Sequence, residues 1–198
     1  MATISLEKGQ KISLDKEAPG LKKIIVGLGW KERETAGVDF DLDASAFMLN
    51  AQDRVVHDNH FIFYGPAYQV SPCGSVVHSG DNLSGSHTDD DAEQIKINLE
   101  TVPESVKKIV IAITIYKARD RKQNFGQVKD AFARIVNEQT GDEVARYNLT
   151  ETYSTETALQ VIELYRHGGE WRLGAIGQGY ANGLEGIAKS FGLDVAGG

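Results

Sequence analysis

The sequence predicts a mostly β protein: an antiparallel β-sandwich of two sheets with short helices, one of them near the C-terminus. Glycine is frequent and proline rare, 21 residues against 4, and the glycines fall between short apolar runs. Strands punctuated by turns give that pattern. Helical periodicity is confined to a few spans, and many short strands with few helices favour a sandwich. With 41% hydrophobic and 25% charged residues in 198, the chain can bury a core, and nothing in it reads as a linker, so residues 1–198 are expected to form one domain.

In chain order, Ile4-Ser-Leu6 and Ile12-Ser-Leu14 echo one another and are expected to pair as a hairpin. Strands are expected at Ile24–Gly29, Phe40–Leu49, Phe61–Tyr64, Val76–His78, Gln94–Leu99 and Lys108–Tyr116. A hairpin over Thr140-Gly141-Asp142 joins Arg134–Asn137 to Val144–Leu149, and another over His167-Gly168-Gly169 joins Val161–Arg166 to Trp171–Ile176. Two stretches are ambiguous. Phe125, Val128, Phe132, Ile135 and Val136 also fit a helical stripe, and Thr155–Arg166 is rich in helix formers. Leu184, Ile187, Ala188 and Phe191 recur at helical spacing between Asn182 and Gly192, so the last element is a short helix.

Several function classes drop out. Cys73 is the only cysteine, which excludes a disulfide framework or a cysteine-built metal cluster within one chain. The start, MATISLEKGQ, has no basic residues followed by an apolar stretch, so a cytoplasmic protein is expected. The longest aliphatic run, Ile109–Ile115, is too short for a transmembrane segment.

The net charge of −7 is concentrated. Asp39, Asp41 and Asp43 fill one short segment, and Asp81, Asp89, Asp90, Asp91 and Glu93 fill another at 80–93. Outside these 19 residues the chain carries 21 basic and 20 acidic residues. Such patches repel nucleic acid and suit a cation.

In an extended strand Phe40, Leu42, Ala44, Ala46 and Met48 would share one face and Asp39, Asp41 and Asp43 the other. Carboxylates two residues apart lie about 7 Å apart and repel by about 2 kcal/mol at an effective dielectric near 20. A cation relieves that repulsion. Oxygens on one calcium ion are at most about 5 Å apart, so Asp39 and Asp43, about 13 Å apart, suggest two adjacent sites. An EF-hand is excluded, because Ala44 and Asn50 stand where its glycine and glutamate are required. The alternative is a solvated strand face that discourages edge pairing. The loop Gly80-Asp81-Asn82-Leu83-Ser84-Gly85 adds side-chain and carbonyl oxygens, a donor set for a hard cation. Zinc would call for His or Cys; His78 and His87 flank the loop and read as solvated.

Other constellations are weaker. Gly27-Leu28-Gly29 follows a strand, but no amphipathic helix follows it, and Gly174–Gly183 lacks a P-loop's Lys-Ser/Thr. Cys73 has no placed base. The acids are too crowded and polar for a glycosidase pair.

Together, Ile4-Ser-Leu6-Glu7-Lys8-Gly9, Val26-Gly27-Leu28-Gly29-Trp30, Asp39-Phe40-Asp41-Leu42-Asp43-Ala44-Ser45, the Gly80–Gly85 loop, Asn124-Phe125-Gly126-Gln127 and Gly177-Gln178-Gly179-Tyr180 resemble the TerD family of tellurium-resistance and stress-response proteins. The resemblance implies a β-sandwich holding two calcium ions, with no established catalysis. It implies metal ligands at Asp39, Asp41, Asp43, Asp81, Asn82, Asp90, Asp91 and Glu93. It also implies partners among other stress-response proteins, in a complex at the inner face of the membrane. The loop departs from the family pattern: it runs one residue longer, and Ala92 interrupts the acids. The leading expectation is a calcium-binding, non-enzymatic adaptor or sensor in tellurite resistance and chemical stress. The alternative is a metal-dependent hydrolase using the Asp-rich site.

Overall fold

The computed structural model describes residues 2–31, 37–80 and 91–194. Among them are β1 (Ile4–Leu6), β2 (Lys11–Ser13), α1 (Leu14–Glu17), β3 (Lys23–Gly29), β4 (Leu42–Leu49), β5 (Phe61–Phe63) and β6 (Val76–His78). There follow β7 (Glu93–Asn98), β8 (Lys108–Ile115), α2 (Ala118–Arg121), β9 (Phe132–Asn137), β10 (Glu143–Asn148), β11 (Ala158–His167), β12 (Glu170–Tyr180) and α3 (Gly183–Ser190). They build two sheets, in the orders β1-β10-β9-β3-β7-β6 and β2-β12-β11-β8-β4-β5. Among the described residues every strand pairing in the two sheets is antiparallel except β1 with β10. The sandwich is therefore the expected one.

The core lies between the sheets. Alternation sends Ile24, Val26 and Leu28 of β3, Ile95 and Ile97 of β7, and Ile109, Ile111 and Ile113 of β8 into it, all nearly inaccessible to water. A second apolar layer covers the outer face of the β4 sheet. There Ile187 and Ala188 of α3 pack with Phe47, Leu49, Val110 and Ala112. Phe191 tilts against Phe47, which stacks on Phe61, and the stack continues through Phe63 to Tyr68. α3 thus explains why Phe47 and Leu49, on the outer face of β4, are buried.

The N-terminal hairpin does not form. β1 joins β10 in one sheet and β2 joins β12 in the other, so the echoing segments are edge strands of different sheets. The Glu7–Gln10 turn is held instead by Gly9 N–H donating to Ala175 O. Both ambiguous stretches resolve towards β structure. A 3-10 turn at Phe125–Gln127 precedes β9, and the second stretch supplies β11. β11 lies between β8 and β12, where strand pairing on both sides overrides its helix formers.

Candidate metal centre

The acidic strand starts later than alternation suggests. β4 begins at Leu42, so Asp39 and Asp41 belong to the chain entering it. Leu42, Ala44, Ala46 and Met48 face the inter-sheet core, as expected. The three acids do not form a solvated row. Asp39 is exposed, whereas Asp41 is 6% and Asp43 9% exposed. A carboxylate so shielded needs positive or hydrogen-bonding partners. Asp41 faces Arg121, with Oδ2 3.3 Å from Nη1. α2 and its flanks strap this segment down: Tyr116 N–H donates to Asp41 O, and Gln123 Nε2 donates to Val38 O at 2.8 Å.

The end of the second acidic segment meets the first. Glu93, at the start of β7, is 1% exposed, and its Oε2 accepts from the Ala44 N–H of β4. His78 Nε2 lies 3.2 Å from Ala44 O and 3.6 Å from the same Glu93 oxygen. Gly80 N–H donates to His78 Nδ1, which leaves Nε2 as the protonated nitrogen. His78 and Glu93 therefore fasten β6 and β7 of one sheet to β4 of the other. This corrects the reading of His78 as solvated: its side chain is fully buried. Strand parity with the buried Val76 carries the signal.

Asp91 takes a different course. Ala92 bends the chain as its N–H donates to Leu28 O, and its methyl group enters the core. Asp91 is turned onto the outer face of the first sheet, over Gly27. Its carboxylate accepts from Arg134 Nε at 2.7 Å and Gln94 Nε2 at 3.1 Å. A Cβ at Gly27 would fall inside van der Waals contact with that carboxylate, so the glycine makes room for it. Arg134 also donates to Glu143, which Arg146 grips through two bonds. The Arg146 bonds come first, with Arg134 adding to them against the opposing pull of burial, and they hold the Glu143 carboxyl below its usual 4.5. Sequence reasoning missed Arg121, Arg134 and Gly27, whose partners lie far away along the chain.

Asp81, Asn82 and Asp90 lie outside the described residues. Among the described residues no group of three or more His, Cys, Asp or Glu could hold a metal by itself. The donor chemistry at this end of the sandwich nevertheless fits a hard cation: carboxylate and carbonyl oxygens, with the one histidine committed to the backbone. An ion here would need oxygens from 81–90.

Among the described residues no helix is long and apolar enough to cross a membrane. The TerD domain model matches residues 1–191. General stress protein 16U of Bacillus subtilis (strain 168) is 53% identical over 98% of this chain and 99% of its own. Tellurium resistance protein TerD of Serratia marcescens is 50% identical over 98% of this chain and 100% of its own. A crystal structure of a homologue of telluride resistance protein (TerD) from Streptomyces coelicolor A3(2) shares the fold, with a TM-score of 0.67 at 19% identity, covering 85% of this chain and 96% of that one. The sandwich, the ordered motifs and these relatives agree: the chain belongs to the TerD domain family.

Proposed function

We propose that this protein serves tellurite resistance and general stress response as a calcium-binding, non-catalytic sensor or adaptor. The observation that carries the reading is the Glu93–Ala44 bond. It brings the end of the acidic loop against the acidic strand, at a point where Asp41 and Asp43 are buried. The ions, two by the family resemblance, are held by Asp39, Asp41 and Asp43 together with Asp81, Asn82 and Asp90. Glu93 and Asp91 anchor the loop's exit on the two faces of the first sheet and set the geometry of that donor set. Calcium adds the positive charge that the clustered carboxylates need, and loop closure on the strand presents a changed surface to other stress-response proteins. Contact with the inner membrane face runs through such a partner.

The experiment is thermal unfolding with calcium, magnesium or chelator. A ligand at a hundred times its dissociation constant stabilises by about 2.7 kcal/mol, or roughly 5–10 °C in a chain of this size. Calcium is expected to give that shift and magnesium a smaller one. An unchanged melting temperature in calcium would refute the reading.

A further inference from the structure

A cavity of about 400 Å3 opens on the outer face of the second sheet, between α3 and the turn that leads from β8 into α2. That is the size of a metabolite site. It is lined throughout by described residues, and the lining is mixed. Phe63, Tyr64 and Leu184, each half-buried, supply apolar wall. Charge comes from Lys117 at the turn and Arg119 of α2, both exposed, from Glu185 of α3 and from Asp43 of β4.

The charges are unequally satisfied. Glu185 is bound by Lys189, with Arg119 a more distant influence on it. Asp43 has interactions of its own. Lys117 rests over the Tyr116 ring, 5.2 Å from its centroid. Neither Lys117 nor Arg119 makes an ion pair among the described residues. The two cations are thus exposed and outside any ion pair among these residues, whereas Glu185 is already bound by Lys189.

A second, independent feature points to an occupant. Ser45 lies on the same face of β4 as Asp43, paired with Phe63 on one side and Ala112 on the other. It is 3% exposed, and its Oγ is shut off from solvent without a hydrogen-bond partner. An unsatisfied buried hydroxyl is costly, by about 1–3 kcal/mol, and it sits in the lining of this cavity.

We infer that this cavity binds a small organic acid with an apolar body. Its anionic head sits between Lys117 and Arg119, its body lies between Phe63, Tyr64 and Leu184, and one of its polar atoms satisfies Ser45. The inference goes beyond the calcium reading; Asp43 borders both sites, so the cavity is tested with calcium removed.

The test titrates anilinonaphthalene sulfonate, and its uncharged relative phenylnaphthylamine, into the full chain held in chelator, with fluorescence as the readout. The sulfonate is expected to saturate at one site per chain and to bind more tightly than the neutral compound. Reversing both charges in Lys117→Glu/Arg119→Glu is expected to weaken it by roughly tenfold or more without changing the melting temperature. Leu184→Trp, which fills the cavity, is expected to abolish it. Val70→Asp, at an exposed apolar position outside the cavity, is expected to leave it intact. Competition with naphthalene acetate and naphthyl phosphate assigns the head as carboxylate or phosphate. Displacement by neither, equal binding of the neutral compound, unchanged binding in the double variant, or loss in Val70→Asp alone would overturn the inference.

Discussion

Replacing Gly27 by alanine tests the clasp at the loop's exit. The added methyl group would collide with the Asp91 carboxylate rather than with backbone, so it should expel that side chain from its place. The Asp91 side chain is 2% exposed there and accepts from Arg134 and Gln94. Expulsion forfeits a charge-assisted bond and leaves Arg134, 23% exposed, with Glu143 alone. Such bonds contribute about 1.5–3 kcal/mol and unpaired buried groups add to the loss, so Gly27→Ala should cost about 2–4 kcal/mol. In an Asp91→Ala background the same methyl group enters emptied space. There alanine should be neutral or slightly favourable, by about 0.5 kcal/mol, because glycine is the weaker strand residue. Urea unfolding of the four proteins measures the coupling. With a slope of about 1–3 kcal/mol per molar, the single variant's midpoint should fall by about 1–2 M, and the double variant should match Asp91→Ala. Equal costs of Gly27→Ala in both backgrounds, with coupling below about 0.5 kcal/mol, would refute the clasp.

Two further predictions concern the same end of the sandwich. Glu93→Ala strands the Ala44 N–H and removes a carboxylate 3.6 Å from the buried His78 ring, so it should cost about 2–4 kcal/mol in urea, and a further His78→Ala should add less than it does alone. Glu143 titrates below its usual 4.5, so the stability it contributes is fully present above that value and is lost as pH falls through its folded-state value. Urea midpoints taken from neutral pH downwards should therefore drop less in Glu143→Gln than in the parent chain.

The core was legible because it follows strand parity. Val76–His78 matches the expected strand end for end, and most other strands differ from expectation by a few residues. Parity also placed Leu42, Ala44, Ala46 and Met48 in the core. It could not show that the opposite face of β4 is buried too, because that follows from α3 folding back from the far end of the chain. The two N-terminal segments were misread for a related reason. An eight-residue echo is local, whereas the partners of β1 and β2 are β10 and β12. At the site, the clustering of acids was visible as sequence. The cations that answer them were not, since Arg121 lies 80 residues from Asp41 and Arg134 lies 43 from Asp91. Ala92 shows how one residue in an acidic run changes direction: Glu93 turns between the sheets and Asp91 turns outward.

Under the proposed function, calcium joins the two acidic segments. Calorimetric titration of the metal-stripped chain measures it directly. Saturable binding of two ions per chain is expected, with a dissociation constant in roughly the 10⁻⁷–10⁻⁵ M range of calcium sensors. Asp41→Asn, still folded by circular dichroism, should lose at least one of them. Absence of binding at millimolar calcium, or unaltered stoichiometry and affinity in Asp41→Asn, would contradict it.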